Sequence, residues 1–164
     1  MRDTLPGLSA AGEANANVAQ AFDRNLMLLL TDDADQRAQF RRDINSFTLA
    51  TTSCLNKYKG AIYEDEVLFA KVLQRRTAYL RIRDKTLSLA QANRRQEAIS
   101  LCKRELLPAY LRYRDAGGGL LEYNIRQGKI RGQTIMLVCT ATQWVVAIIG
   151  MLIFIVGFLF GLFK

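Results

Sequence analysis

The sequence predicts an all-α protein: an antiparallel, up-down-up-down four-helix bundle whose last helix continues into one C-terminal transmembrane helix. Three observations carry this reading. Only 2 prolines, Pro6 and Pro108, punctuate 164 residues, far too few for the regular turns of an all-β or α/β domain. Apolar residues recur at steps of three and four over long stretches, which is the period of a helix face. Residues 134–163 contain no charged side chain at all.

The elements follow in order. A first helix, 9–31, places Val18, Phe22, Leu26 and Leu29 on one face. Thr31, Asp32 and Asp33 then mark a helix start, with acidic groups at the positive end of the dipole. The second helix, 33–59, carries the seam Phe40, Ile44, Phe47, Thr51, Cys54 and Tyr58, and Gly60 ends it. Glu64, Asp65 and Glu66 open the third helix, 64–92. Its seam runs Leu68, Val72, Arg75, Tyr79, Ile82, Thr86, Leu89, beside a second stripe of Phe69, Leu73, Arg76, Leu80, Arg83, Leu87 and Ala90. A face this wide belongs to a multi-helix bundle and not to a two-stranded coiled coil. Asn93 marks a turn or cap. The fourth helix, 94–133, turns Ile99, Cys102, Leu106, Tyr110, Tyr113, Leu120 and Asn124 inward. Pro108 should kink it without ending it. Gly117, Gly118 and Gly119 make either a flexible point or a close-packing point.

The second and third helices are nearly equal, each roughly 40–44 Å long. Their short connections force antiparallel neighbours. If the fourth helix enters a membrane at residue 134, the turns at 31–33 and 92–95 share the membrane-distal end. The bundle therefore occupies residues 1–133, and residues 134–163 form the span. Within it, Trp144–Phe163 reads WVVAIIGMLIFIVGFLFGLF, about 30 Å of helix. A buried core helix is the alternative for such a run. Gly157 and Gly161 permit close helix–helix packing in a span.

Composition excludes much chemistry. With 0 histidines, no His-based triad, His metal site or imidazole acid–base step is possible. No Cys-x-x-Cys pair, P-loop or dinucleotide fingerprint occurs. The expectation is a non-enzymatic protein with no metal and no cofactor. Residues 1–133 hold 22 Lys+Arg against 15 Asp+Glu, a net +7. No recognisable motif or compact basic stripe turns that charge toward nucleic acid.

In this order and spacing the residues resemble the four-helix-bundle sensory domain of bacterial methyl-accepting chemotaxis receptors. The resemblance covers about residues 17–163. It rests on Asn25-Leu26, Leu30-Thr31-Asp32-Asp33 and Arg37, then Glu64-Asp65-Glu66 and Ala78-Tyr79-Leu80. It continues through Gln96-Glu97-Ala98, Glu105, Pro108-Ala109 and Leu121 to Asn124. The resemblance implies a homodimeric sensor in the bacterial inner membrane, with the bundle outside the cytoplasm. Such a sensor feels a small anionic ligand or a binding protein and leads into a linker and an output domain. Two departures are visible. No first span precedes residue 17, and the chain stops at Lys164, where the linker would begin. The expected function is a membrane-anchored sensory or ligand-binding module of a chemoreceptor-like signal transducer, lacking its own output domain. A competing reading is a tail-anchored helical-bundle scaffold or adaptor that recruits protein partners at the membrane. Charge counting favours that alternative's cytoplasmic bundle: Arg126, Lys129 and Arg131 precede the single-pass span, only Lys164 follows it, and Met1–Ala16 has no apolar core.

The candidate ligand-binding residues are arginines, whose planar forks suit carboxylates and phosphates. Arg75 and Arg76 interrupt both apolar stripes of the third helix at one level. They form an anion site or a dimer contact, or else they snorkel to water or pair inside the bundle. Arg24, Arg41 and Arg42 lie toward the distal turns with Arg37, Arg83, Arg94 and Arg95, as a ligand site or a solvated basic face. Cys54 and Cys102 fall at heights differing by roughly 20 Å along the bundle, beyond disulfide reach. Cys139 belongs to the span.

Overall fold

The protein is described here from a computed structural model covering residues 4–60, 62 and 65–162, with the side chains of 7–60, 62, 65–130, 132–134, 136 and 143. Helix α1 spans Thr4–Leu30, α2 Ala34–Lys59, α3 Glu66–Gln91 and α4 Arg95–Leu101. A π-helical turn, Cys102–Leu106, joins α4 to α5, Leu107–Leu162. No strand occurs among the described residues. The first helix begins earlier than the apolar face suggests, at Thr4, and the second and third differ from the expected limits by one or two residues. The expected start at Glu64 lies outside the described residues.

Each turn has a physical cause. Asp33 caps α2: its Oδ1 accepts the backbone N–H groups of Asp35 at 2.8 Å and Gln36 at 3.0 Å. Gly60 ends α2 in ordinary right-handed backbone, φ −72°, with its N–H on Lys57 O. After α3, Asn93 takes φ 57°, a conformation asparagine tolerates better than most residues. Asn93 N–H then reaches Ala90 O and Arg94 N–H reaches Leu89 O. That is the six-to-one, five-to-two pattern of a Schellman cap, with asparagine where glycine is usual.

The chain forms two units, one ending at Ile125 and one beginning at Arg126. The first holds the bundle. Its contacts fix the antiparallel register, because numbers rise on one helix as they fall on the next. Between α1 and α2, Glu13 meets Cys54 and Arg24 meets Asp43. Between α2 and α3, Tyr58 meets Phe69, Thr52 meets Arg76 and Thr48 meets Arg83. Between α1 and α5, Phe22 stacks on Tyr110 with ring centroids 3.9 Å apart. Arg95 joins the two turns that the helix lengths place at one end. Its Nε donates to Leu29 O at 2.7 Å, and its other nitrogens donate to Leu30 O and Asp32 Oδ1. It thus satisfies carbonyls that the end of α1 leaves without helical partners.

At the opposite end, Tyr58 donates to Asp65 Oδ2 and accepts from Asn124 Nδ2 at 2.5 Å. This ties α2, the start of α3 and α5 together. Cys54 and Cys102 are buried free thiols. Cys54 Sγ donates to Glu13 Oε2 at 3.6 Å, and burial pushes both thiols above their usual range, with the Glu13 carboxylate adding to the rise at Cys54. Cys139 lies outside the residues whose side chains are described.

Pro108 acts differently from a simple kink. Its ring and missing N–H disturb the helical bond to the carbonyl four residues back. The π-helical turn lies immediately before it, and Leu107 N–H reaches back to Cys102 O. One widened turn takes up the misfit, and Leu101, Cys102 and Leu107 all keep right-handed helical angles. The glycine triplet is resolved as well. A Cβ on Gly117 would overlap Asn15 Oδ1, whereas Gly118 and Gly119 face open space. Gly117 is a close-packing point between α1 and α5.

The second unit is the remainder of α5. No helix among the described residues is long and apolar enough to cross a membrane. Trp144–Phe163, the apolar run of the expected span, lies outside the residues whose side chains are described, although the backbone is helical to Leu162.

Two alanine substitutions separate the roles of the glycines. Gly118→Ala should stabilise the full chain by about 0.5–1 kcal/mol, the helix-propensity gain. Gly117→Ala should destabilise it by roughly 1–3 kcal/mol, because Asn15 must be displaced. Thermal melts of the two variants in one detergent check the opposite signs.

Candidate functional site: an arginine seam inside the bundle

Arg76 and Arg83 are seven residues apart, two helical turns, so α3 presents both on one face. That face is turned inward. Arg83 is only 7% exposed, and Arg76 is half-buried. A buried cation needs charge-satisfying partners, and α2 supplies hydroxyls. Arg83 Nη1 donates to Thr48 Oγ1 at 2.7 Å, and Arg76 Nη2 donates to Thr52 Oγ1 at 2.6 Å.

These threonines can accept because their own protons are engaged. Thr48 donates to Ile44 O at 2.6 Å, Thr51 to Phe47 O at 2.7 Å and Thr52 to Thr48 O at 2.8 Å. Each hydroxyl on a helix can bond the carbonyl one turn back and keep its lone pairs outward. The row Thr48, Thr51, Thr52 is thus an acceptor edge laid along the arginine seam.

Carboxylates contribute little here. Arg83 Nε and Nη2 donate to Asp84 Oδ1 at 3.0 and 2.8 Å, but the Asp84 side chain is 62% exposed. Arg76 forms no ion pair among the described residues. Tyr113 on α5 lies on the same cavity, and the Arg76 charge pulls against the rise of its phenol.

Arg76, Arg83, Tyr79 and Tyr113 line a cavity with Thr48, Thr51, Leu80, Val18 and Ala21. All four bundle helices contribute. The cavity is about 10 Å³, room for one water-sized occupant. Tyr79 is 2% exposed, and its hydroxyl has no hydrogen-bond partner among the described residues. It lies between Tyr110 and Tyr113, with ring centroids 6.2 and 5.8 Å away. Burial pushes the Tyr113 phenol up to about 12, against the pull of Arg76. Burial raises Tyr79 further, against the charge of Arg83.

The other sequence candidates are placed apart from the cavity. Arg75 is half-buried but does not line it. Arg24 pairs with Asp43 at 3.3 Å and lies 5.8 Å from the Phe40 ring centroid. Arg41 is half-buried, and Arg42 donates to Gln39 Oε1 at 2.6 Å on the outside of α2. Arg94 pairs with Glu97 one turn on. Of the five candidates only Arg76 belongs to the seam. Arg83 stood in the same apolar stripe as Arg76 and was grouped with the distal surface; its seven-residue spacing from Arg76 was the available signal. Thr51 and Tyr79 stand on the seams legible in the sequence, whereas Thr48 and Thr52 lie off them.

Two measurements test this geometry. A double-mutant cycle of Arg76→Ala with Thr52→Ala should give a coupling of roughly 1.5–3 kcal/mol, the range for a hydrogen bond to a charged group. Arg75→Ala should stay within about 0.5 kcal/mol of wild type. The phenols predict the alkaline limit. An unfolded tyrosine ionises near pH 10, whereas Tyr113 holds its proton to about 12. The folded state therefore binds more protons in that window, and stability falls as pH rises through it. Tyr113→Phe should flatten the fall, read by circular-dichroism melts across the window.

No curated protein matches the chain. A family described as "four helix bundle sensory module for signal transduction" matches residues 1–134. That stretch contains the whole bundle, the Arg76–Arg83 seam and the cavity. The chain belongs to the family of four-helix-bundle sensory modules for signal transduction.

Proposed function

We propose that this chain is the membrane-anchored, non-enzymatic sensory module of a chemoreceptor-like bacterial signal transducer, working as a homodimer. A small anion is felt at the Arg76–Arg83 seam. The observation that carries this is a pair of interior arginines, one of them 7% exposed, facing hydroxyls where a purely structural bundle would place carboxylates or apolar groups. The seam also touches α5 through Tyr113, and α5 runs on to Leu162. Anything that tightens the seam acts on that helix, and a small displacement of a helix is a known way to carry a signal. Apolar Trp144–Phe163 anchors the chain in the inner membrane, with the bundle on the extracytoplasmic side.

The test uses the full chain expressed in a bacterium. It should stay with membranes after alkaline extraction. A cysteine introduced by Ser53→Cys, an exposed position on α2, should react with a membrane-impermeant maleimide in intact spheroplasts. Labelling only after lysis would place the bundle in the cytoplasm and favour a recruiting scaffold. Release on extraction would defeat the anchor.

A further inference from the structure

Past the bundle the charge of the chain becomes one-sided. Glu122 is the last acidic residue, and residues 123–164 hold four cations, Arg126, Lys129, Arg131 and Lys164. Three of them fall within six residues of α5. Arg126 and Lys129 are exposed, and neither forms an ion pair among the described residues. Ile130 and Met136, on the same stretch, are 50% and 67% exposed. A helix that shows cations and large apolar groups together suits the boundary between water and lipid.

Length says which surface lies beside those cations. Residues 134–163 carry no charged side chain, and a helical stretch of that length rises about 45 Å. A bilayer with both headgroup layers is about 40–45 Å thick. With that stretch in the membrane, Arg131, Lys129 and Arg126 stand at the outer edge of one headgroup layer. The rise from 131 to 126 is only about 7.5 Å, within a Debye length at physiological salt, about 8 Å. At about 100° per residue, position 131 stands roughly 140° around the helix from 126 and roughly 160° from 129. A single docked partner meets one side of a helix, whereas a shell of lipids meets all sides.

Resting on the reading of Trp144–Phe163 as a membrane anchor, we infer that Arg126, Lys129 and Arg131 form a collar that binds the phosphate groups of anionic phospholipids. A zwitterionic headgroup carries its own cation beside the phosphate and gains less from the collar. The contact is the same on either face of the membrane, provided that leaflet carries anionic lipid. The collar fixes the depth of α5 in the bilayer, so the lipid charge biases the helix displacement through which the module signals.

Trp144 is the chain's one tryptophan and opens the apolar run, so its fluorescence reports the lipids around the helix. The full chain is reconstituted at low ionic strength in phosphatidylcholine vesicles. These contain brominated phosphatidylglycerol or, at the same fraction, brominated phosphatidylcholine. The phosphatidylglycerol should quench Trp144 more strongly, with a relative affinity at least about fivefold higher, the contribution of one basic residue near an anionic surface. Salt at roughly 1 M, where the Debye length is about 3 Å, should erase the preference. Combined Arg126→Gln, Lys129→Gln and Arg131→Gln should erase it too, with quenching by brominated phosphatidylcholine unchanged. Lys164→Gln, at the other end of the uncharged stretch, should leave the preference in place.

Equal quenching by the two lipids overturns the collar, and so does a preference that survives the triple substitution. A preference abolished by inorganic phosphate at constant ionic strength marks a site for free anions and also overturns it. Quenching by neither lipid is a separate failure: it removes the anchor itself, and the collar with it.

Discussion

Placing arginines of α3 inside a helical bundle is the constraint from which the rest of the interior follows. Removing a guanidinium from water is costly unless its donors find acceptors. Here the acceptors are a threonine row on α2, and that row works because each hydroxyl first satisfies its own helix. Thr52 bonds Thr48 O while accepting from Arg76; Thr48 bonds Ile44 O while accepting from Arg83. The register between α2 and α3 is therefore fixed by chemistry as well as by packing. A slip of one turn would set an arginine against apolar side chains. The aromatic residues close the other side: Tyr79 and Tyr113 from α3 and α5, with Phe22 stacked on Tyr110 behind them.

The fourth side of the bundle solves a different problem, keeping one helix continuous past two interruptions. Pro108 cannot sit in a regular turn without losing a bond, and the π-helical turn before it absorbs the loss. Gly117 gives up helix propensity so that α1 can approach at Asn15. Beyond these points Asn124 holds α5 to Tyr58, while also bonding Leu120 O at 2.8 Å. The contacts along α5 thus alternate between tight ones, at Tyr110, Gly117 and Asn124, and one adjustable turn at Cys102–Leu106.

Much of this was legible in the sequence, for reasons that differ by element. Helix periodicity and two-proline punctuation gave the helical bundle because both are local signals. Asp33 and Asn93 marked turns because short polar side chains have specific backbone chemistry. Arg76 was visible because it broke an apolar stripe. Arg83 broke the same stripe, but its burial depends on which α2 residues face it, and that is set by register between helices, not by either helix alone. The acceptor role of Thr48 and Thr52 was invisible for the same reason. A threonine beside a seam shows no polar role until a donor from another helix arrives. The glycine triplet was ambiguous because only the neighbour decides between flexibility and close approach, and the neighbour, Asn15, lies on α1.

A bundle built for stability alone would fill the Arg76–Arg83 level with aliphatic side chains. Replacing buried charges with well-packed apolar groups is often neutral or stabilising. Over two turns the seam instead keeps two cations, a phenol without a partner among the described residues, and a small cavity. Buried polar groups and unfilled space each raise the free energy of the closed interior relative to an apolar core, and an occupant that accepts hydrogen bonds would relieve them. Such an occupant would favour the closed interior over a loosened one. That differential is what a sensor requires, because a ligand shifts a conformational equilibrium only by as much as it binds one state better than another. The cost falls on α3 and α5 together, since the donors come from both, and the helix that receives the stabilisation at Tyr113 is the one that leaves the bundle's residues at Ile125 and continues to Leu162.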